Sequence, residues 1–339
     1  MKRIPWIDLR SLVALSMVVV FILISAGCSS SGATSSEDPN EIRVDYAYYS
    51  PTSLVVKKQG LLEEEFKGED INIEYVLSQG SNKALEFLNS NSVDFGSTAG
   101  AAALMAKAKG APIKNVYIYS KPEWTALVTN KDSDINSVKD LKGKKVAATL
   151  GTDPYIFLLR SLSEVGLTQD DIELVNLQHG DGASALSTGQ VDAWAGLDPH
   201  MARLELETES ELFYRNADLN TYGFLNTRTE FAEKYPEHVE RVISVYEKAR
   251  KWVIDHPEEA AQLLAEEADI KLEVAKKQLE RNDFSNPTPG EEQKKAIIKA
   301  GNVLQKSEII DQDADIESLT NELIDPSFAE EVISELKGD

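Results

Sequence analysis

The chain has 339 residues, of which 42% are hydrophobic and 27% charged, a globular composition whose length suits two lobes better than one small core. A net charge of −22 excludes nucleic acid and anionic lipid as partners attracted by the overall field of the protein. Cys28 is the single cysteine, which excludes an internal disulfide and a cysteine-ligated metal site.

The first 27 residues have the pattern of an export signal. A basic start precedes the apolar run 12–24, which is short for a membrane span, and small residues then lead to Cys28. The stretch ISAGC resembles a bacterial lipobox, with Ser25 where leucine is usual. We predict a lipoprotein signal peptide over 1–27 and a flexible tether over 28–41. A lipid such as palmitate on Cys28 would hold the protein at the extracytoplasmic face of the cell membrane; the alternative is an uncleaved N-terminal anchor.

From residue 41 onward, strand patterns alternate with helix patterns. The predicted strands cover 42–49, 71–77, 93–98, 115–120, 126–130, 145–150, 172–177 and 191–196. After residue 228 the pattern becomes strongly helical. Strands that alternate with helices predict an α/β fold whose sheets are mainly parallel and carry helices on their faces.

Two parts of the chain share an L-x4-V-D frame, which begins at Leu88 and at Leu186. Each frame is preceded by a strand and a glycine-containing loop, and each is followed by small residues. Together with the strand–helix order, which restarts near residue 126, the frame predicts two lobes of similar architecture. Because ligands of parallel α/β sheets bind beyond the carboxyl ends of the strands, those ends can face each other across a cleft.

The stretch LGTDPYIFLLR (150–160) is typical of a small-anion site. A turn at Gly151 and Thr152 precedes Pro154, where we predict the start of a helix. A helix N-terminus offers free N–H groups and a partial positive charge. Asp153 leaves two alternatives open. It either caps this helix or faces the cleft, where it would repel a pure anion and attract an ammonium group.

Four stretches resemble the substrate-binding proteins of ABC transporters that bind aliphatic sulfonates, taurine and nitrate, a branch that also contains thiamine-pyrimidine binders. They are SVDFGSTAG, SVKDLKGKKVA, GTDPYIFLLRSLSEVGL and GQVDAWAGLDPHMA, in the order that the family has. The resemblance implies a two-lobed clamp of the periplasmic-binding-protein type II with a helical C-terminal part. Lobe one would contain 42–125 and 225–339, and lobe two would contain 126–224.

The resemblance also implies a function. The lobes would close on a small solute about chain crossings near 121–129 and 222–227, and the closed form would dock on a permease and its ATPase. The favoured ligand is a sulfonate-type solute, either an alkanesulfonate or taurine. Nitrate, bicarbonate, a thiamine-pyrimidine precursor and riboflavin stay open as alternatives. We expect a monomer without catalytic activity, cofactor, metal or nucleic-acid partner.

Strand ends and helix starts supply the candidate ligand-binding residues, which are Tyr48, Tyr49, Ser81, Asn82, Ser97, Thr98, Gly100, Trp124, Gly151, Thr152, Asp153, Tyr155, Trp194 and Asp198. Side chains alternate along a strand, so one of the two adjacent tyrosines is expected to face the ligand. Trp194 could stack on a ligand or fill the core, and Asp198 could accept a hydrogen bond or form a turn. Trp124 could be a hinge residue or a cleft wall, and the serine, threonine and glycine positions could be plain helix caps.

Other chemistry has little support in the sequence. The four histidines are scattered, without the HExxH spacing of a zinc site, and the phosphate loop GxxxxGKS/T is absent. The stretch GSTAG has no serine at the centre of a hydrolase elbow. The pyrimidine synthases that resemble this clamp need a histidine and a cysteine-rich iron motif, whereas this chain has Cys28 alone. A sensory or adhesive lipoprotein is the remaining alternative to an importer component.

Overall fold

The computed structural model describes residues 38–338, so the predicted signal peptide, Cys28 and most of the predicted tether lie outside the described residues. The strands are β1 (Glu41–Tyr46), β2 (Asn72–Leu77), β3 (Phe95–Ala99), β4 (Ile113–Pro122), β5 (Leu127–Thr129), β6 (Lys145–Ala148), β7 (Glu173–Asn176), β8 (Ala193–Ala195), β9 (Glu211–Tyr214), β10 (Gly223–Arg228) and β11 (Asn282–Asp283). The helices are α1 (Pro51–Lys58), α2 (Leu61–Glu65), α3 (Ser81–Asn89), α4 (Gly100–Ala108), α5 (Asp153–Glu164), α6 (His179–Ser187), α7 (His200–Glu207), α8 (Thr229–Lys234), α9 (Pro236–Asp255), α10 (Pro257–Ala268), α11 (Leu272–Glu280), α12 (Glu291–Lys306), α13 (Ile316–Leu323) and α14 (Ser327–Gly338).

The strands form two sheets, whose orders are β11-β4-β10-β3-β1-β2 and β7-β6-β8-β5-β9. In the first sheet β1 to β4 run in one direction and β10 and β11 in the other, and in the second sheet β5 alone opposes the other four strands. The predicted α/β fold with helix-flanked sheets is therefore confirmed, and most strands of each sheet run in one direction, as predicted. Because β5, β10 and β11 run the other way, the sheets are mixed, with four parallel and five antiparallel pairs of neighbouring strands. We call the first sheet and the helices packed on it the first lobe, and the second sheet with α5, α6 and α7 the second lobe.

The chain passes between the lobes twice, through a first crossing at 123–126 and a second crossing at 215–222. β5 and β10 each follow a crossing, and each is inserted antiparallel into the interior of its sheet. The N–H of Thr125 donates a hydrogen bond to Oδ1 of Asn220 at 3.0 Å, so the two crossings are joined to each other. The exact division of the chain into moving lobes at 125/126 and 224/225 stays a prediction, because a lobe boundary is defined by motion.

The L-x4-V-D frame has the same structural role in both lobes. It ends α3 and leads to Asp94 in the first lobe, and it ends α6 and leads to Asp192 in the second. Asp94 receives a hydrogen bond from the N–H of Arg43 at 2.9 Å, and its own N–H donates to the carbonyl of Arg43 at 2.7 Å. Asp192 makes the same pair of bonds with Lys145, both at 2.8 Å. Arg43 lies on β1 and Lys145 on β6, so α3 and α6 are equivalent helices of two similar lobes.

Local signals fix several element boundaries. The predicted helix over 51–66 is broken at Gly60, which has φ +63°, a conformation that glycine adopts without steric cost, and this separates α1 from α2. β1 ends at Tyr46 and β6 at Ala148, two or three residues before the predicted ends. The residues that follow form turns into the next helix, and apolar patterning does not show where strand pairing stops.

Helices α8 to α14 form the helical C-terminal part that the sequence predicts. α9 packs between α1 and α14, and α12 packs on α4, so this part of the chain completes the first lobe. None of the helices within 38–338 combines the length and the apolar composition that a membrane span requires.

We expect Gly223→Ala to lower the free energy of unfolding by about 1–3 kcal/mol, the usual cost of overpacking. A Cβ at this position in β10 would lie 2.5 Å from Cζ of Tyr119, whose ring is fully buried and packed against Trp124. Urea unfolding would measure the change. Gly290→Ala is the matched control, because its φ is −170° and its Cβ would meet no atom closer than 3.8 Å. Equal stability of the two variants would contradict the prediction.

Candidate functional site

A cavity of about 210 Å³ lies between the lobes. Its walls come from four segments that each follow the carboxyl end of a strand: residues 48–49 after β1, 78–79 after β2, 178–181 after β7 and 197–200 after β8. Two of the segments belong to each lobe. Because α/β sheets bind ligands beyond the carboxyl ends of their strands, this cavity is the candidate site.

Two helices, one from each lobe, begin at the cavity wall. α3 begins just after lining residues 78–79, and α6 begins within lining residues 178–181. The first hydrogen bonds within these helices are donated by the N–H groups of Lys83 and Gly182, so the N–H groups before them lack an intrahelical acceptor. Each helix start also carries a partial positive charge. The pair can therefore bind an anion with backbone donors from both lobes.

The lobes touch each other beside the cavity. A Cβ at Gly80 would lie 2.8 Å from Nε2 of His179 and 2.8 Å from Oδ1 of Asn82. A Cβ at Gly151 would lie 3.4 Å from Cβ of Asn82. The structure is thus closed over the cavity, and the closest contact leaves no room for a side chain at Gly80.

Two uncharged histidines line the second-lobe wall. Oγ1 of Thr149 donates to the carbonyl of Leu177 at 2.7 Å, so it accepts from Nδ1 of His179 at 3.1 Å. Burial lowers the pKa of His179 to about 3, with a smaller effect from His200, and burial lowers the pKa of His200 to about 4. Both rings are therefore neutral near pH 7. Among the described residues, no group of three or more His, Cys, Asp or Glu side chains is placed to hold a metal ion.

Asp153 binds both crossings. Its carboxylate accepts hydrogen bonds from Nε1 of Trp124 at 2.9 Å, from the N–H of Thr221 at 2.9 Å and from Oγ1 of Thr221 at 2.6 Å. Burial raises the pKa of Asp153, and the three donors oppose that rise. The side chain neither caps α5 nor offers a free acceptor to the cleft, so both alternatives from the sequence are corrected. The indole of Trp124 anchors the first crossing, which supports the hinge alternative for this residue.

Several predicted residues meet at the back of the cleft. A space of about 10 Å³ shares Tyr49 and Leu197 with the cavity and is lined also by Ser81, Trp124, Thr152, Asp153 and Pro154. The hydroxyl of Tyr49 donates to the carbonyl of Ser97 at 2.8 Å, and its ring meets Trp124 edge-on. Tyr48 and Tyr49 both line the cavity, contrary to the expectation that one would. The alternation rule does not apply to them, because they lie beyond the end of β1.

The GSTAG turn lies inside the first lobe, away from the cavity. Oγ1 of Thr98 accepts from the amide of Asn226 at 2.7 Å, and Ser97 is fully buried. At the start of α4, Gly100 donates its N–H to the carbonyl of Tyr222 at 3.1 Å, and the N–H that follows donates to Thr221. These donors are already satisfied by the second crossing. Ser97, Thr98 and Gly100 therefore have structural contacts where the sequence predicted ligand contacts.

Trp194 and Tyr155 also lie away from the cavity, in the second lobe. Trp194 on β8 is completely buried, and a Cβ at Gly182 would lie 2.6 Å from its Nε1. The hydroxyl of Tyr155 donates to Oε1 of Gln169 at 2.5 Å. The expectation that Trp194 stacks on a ligand is corrected: the indole fills the space between β8 and α6.

Asp198 does line the cavity, but its carboxylate is paired. Nη1 of Arg281 donates to both carboxylate oxygens at 3.1 Å, and the N–H of Ala202 donates to Oδ1 at 2.9 Å. Burial raises the pKa of Asp198 to about 6, while the charge of Arg281 opposes that rise. Arg281 follows α11 in the first lobe, so this ion pair joins the lobes.

Of the twelve residues that line the cavity, Tyr48, Tyr49 and Asp198 were predicted from the sequence and the other nine were not. The sequence predicted a ligand role for Ser81, which begins α3. It predicted none for residues 178–181 at the equivalent start of α6, or for the flanking His200. The repeated L-x4-V-D frame is the signal that could have located them, because the helices that end in the two frames are α3 and α6. The N-terminal end of the helix that precedes each frame lies at the cavity.

Asp45 is a buried carboxyl group on β1, next to the lining residues Tyr49 and Ser78. Its Oδ1 accepts a hydrogen bond from the N–H of Ser97 at 2.8 Å, and its side chain is 1% exposed. Burial raises the pKa of Asp45 from 3.8 to about 7, and hydrogen bonds from Ser78 and Ser97 oppose that rise. The folded protein therefore binds a proton at this position more tightly than the unfolded chain does.

We expect Asp45→Asn to become more stable relative to the natural protein as pH rises from 4 to 8. A raised pKa gives stability that is complete below pH 3.8 and is lost as pH rises through about 7. Within that window the difference in unfolding free energy should change by about 1.4 kcal/mol per pH unit. Urea unfolding at pH 4, 6 and 8 would measure it, with the exposed Asp132→Asn as control for net charge. A pH-independent difference would contradict the assignment.

Comparison with known proteins places this geometry in a family. Residues 64–260, more than half of the chain, match the family described as NMT1/THI5 like. A relative from Bacillus subtilis (strain 168), named an aliphatic sulfonates-binding protein, is 27% identical over 95% of this chain and 97% of its own length. A relative of the same name from Escherichia coli (strain K12) is 30% identical over 70% of this chain and 74% of its own length.

The fold is also that of a solved structure. The alkanesulfonate-binding protein SsuA from Xanthomonas axonopodis pv. citri, bound to MOPS, superposes with a TM-score of 0.77 at 24% identity, and the match covers 84% of this chain and 98% of that one. This similarity confirms the two-lobed α/β architecture. The resemblance stated from the sequence is confirmed as well, and the chain belongs to the NMT1/THI5-like family.

Proposed function

We propose that this protein is the solute-binding component of an ABC importer and that it captures a small alkanesulfonate in the cavity between its lobes. The observation that carries the proposal is that α3 and α6 start at one cavity from opposite lobes, each with N–H groups that lack an intrahelical acceptor. The names of the relatives from Bacillus subtilis and Escherichia coli support the ligand class.

A sulfonate suits this site for a physical reason. Its three oxygens share one permanent negative charge and accept hydrogen bonds in several directions. Backbone N–H groups at two helix starts can donate to them without placing a cation in the cavity. A ligand held by donors from both lobes binds the closed state more tightly than the open state, and this difference drives closure about the two crossings.

Two of the three acids near the cleft, Asp153 and Asp198, favour a plain alkanesulfonate over taurine. Asp153 is satisfied by both crossings, and Asp198 is paired with Arg281. Asp181, which lines the cavity at the start of α6, has no hydrogen bond or ion pair among the described residues, so it is the one of the three that is left to pair with the ammonium group of taurine. The small cavity and the buried Trp194 argue against riboflavin and thiamine pyrimidines, which need a larger space or an aromatic surface for stacking. Nitrate and bicarbonate stay as alternatives, because they offer similar acceptor oxygens.

The remaining parts of the proposal concern the partners. The closed form delivers its ligand to a membrane permease driven by an ATPase, and the protein acts as a monomer without catalytic turnover. A lipid on Cys28 tethers it to the extracytoplasmic face of the membrane. The single cysteine, placed after a short apolar run, supports this attachment.

We expect ethanesulfonate and 1-propanesulfonate to raise the melting temperature of the purified protein. A ligand at about 100 times its dissociation constant adds about 2.7 kcal/mol to the free energy of unfolding. Gly80→Ala should weaken binding by about tenfold, because its Cβ would strike His179 where the lobes close. Gly290→Ala, remote from the cavity, should bind normally. If no sulfonate raises the melting temperature but nitrate or bicarbonate does, the cavity is a site for those anions and not for sulfonates.

We expect Cys28→Ser to release the protein from the membrane. The variant lacks the thiol that accepts the lipid, so a tether of small polar residues would be left without an anchor. Membrane fractionation of the producing cells, with mass spectrometry of the N-terminal peptide, would measure both location and lipid. A Ser29→Ala variant serves as control and should stay on the membrane. Retention of the Cys28→Ser variant would favour an uncleaved N-terminal anchor.

A further inference from the structure

Arg281 is a first-lobe residue whose side chain ends in the second lobe. It follows the last turn of α11, and its Nη1 donates to both carboxylate oxygens of Asp198 at 3.1 Å. Its Nη2 donates to the carboxylate of Glu205 on α7. The side chain of Arg281 is 7% exposed and that of Asp198 1% exposed, so the pair is screened little by solvent.

Asp198 depends on Arg281 for its charge balance. Asp198 lines the cavity, and besides Arg281 its carboxylate has the backbone N–H of Ala202 as a hydrogen-bond donor. Glu205 differs, because Lys277 also lies 3.2 Å from its carboxylate. Loss of Arg281 would therefore leave Glu205 with a cation and would leave Asp198 without one.

We propose that Arg281 tunes ligand specificity by masking Asp198, which lowers the affinity of the cavity for zwitterionic sulfonates relative to sulfonates with uncharged tails. The inference rests on the proposed function. It adds Arg281, a residue outside the cavity wall, as the group that sets the charge of that wall. A carboxylate in the wall without a paired cation would attract an ammonium tail and repel the sulfonate group. Arg281 acts through Asp198, so it is a positioning residue and need not touch the ligand.

The same ion pair also holds the lobes together, and this second role must be separated from specificity. Any loss of interlobe attraction weakens all ligands by the same factor, because all of them need the closed state. Specificity is a difference between affinities, so the ratio of two dissociation constants removes the common factor. Lys271 offers a matched control. It pairs with Glu207 across the lobes at 3.1 Å, on the exposed surface away from the cavity.

The test compares 1-propanesulfonate with taurine, which has the same number of non-hydrogen atoms and replaces the methyl group by an ammonium group. Isothermal titration of the purified protein would give both dissociation constants for the natural protein and for Arg281→Gln, Asp198→Asn and the double variant. Arg281→Gln should shift the ratio toward taurine by about tenfold, because the ammonium group of taurine then replaces Arg281 as the cation beside Asp198. Without a cation, burial favours the protonated carboxyl group, so the shift should grow as pH rises. Asp198→Asn should shift it the other way, because Arg281 is then left with Glu205, a carboxylate that it shares with Lys277.

The double variant should return the ratio to within about threefold of the natural protein, and Lys271→Gln should not change it. If Arg281→Gln fails to fold, Arg281→Lys keeps the positive charge and should keep the ratio, while Asp198→Asn still gives its opposite shift. Equal weakening of both ligands in the two single variants would overturn the inference and leave the sulfonate site standing. Failure of the natural protein to bind either ligand would overturn the proposed function itself.

Discussion

The carboxylate of Asp153 joins the start of α5 to both crossings, and the arrangement of the lobes depends on this contact. Three donors from Trp124 and Thr221 converge on one buried group. A buried carboxylate without such donors would cost several kcal/mol, so its position is strongly specified. Both crossings are thereby fixed to the first turn of a second-lobe helix. The hinge is a defined structure, and the acid that forms it is removed from the ligand's surroundings.

Closure is stabilised on another side of the cavity by charges of opposite sign. α7 of the second lobe carries Glu205 and Glu207, and the α11 region of the first lobe carries Lys271, Lys277 and Arg281. Exposed pairs of this kind contribute about 0–1 kcal/mol each. The pair of Arg281 and Asp198 is buried, and the loss of one partner from a buried pair is strongly destabilising. The cavity lies between the hydrogen-bonded crossings and this set of ion pairs. Among the described residues, the lining of the cavity includes no lysine or arginine, so the positive charge that it offers an anion is the partial charge of the two helix starts.

The sequence predicted the architecture well because strand and helix patterns reflect burial along the whole chain. It predicted single site residues poorly, since a motif does not reveal which way a side chain points. Trp194 and Asp198 lie four residues apart in one motif, yet the indole is in the core and the carboxylate is at the cavity. Asp153 was expected to cap a helix or meet a ligand. Its actual partners, Trp124 and Thr221, are distant in sequence, and no local pattern could indicate them.

The net charge of −22 has the same sign as an anionic ligand. The surface charges and the helix starts at the cavity, however, act on different length scales. Exposed charges are screened over about 8 Å at physiological ionic strength, so most of the acidic surface contributes little inside the cleft. The helix starts of α3 and α6 act at hydrogen-bond distance, where solvent is displaced and partial charges count fully. Nearby acids matter most where they lack a partner; Asp153 and Asp198 both have one, and the lining residue Asp181 has none among the described residues. Ligand charge is thus decided by which of the few acids around the cavity are paired, a property that no count over the chain can express.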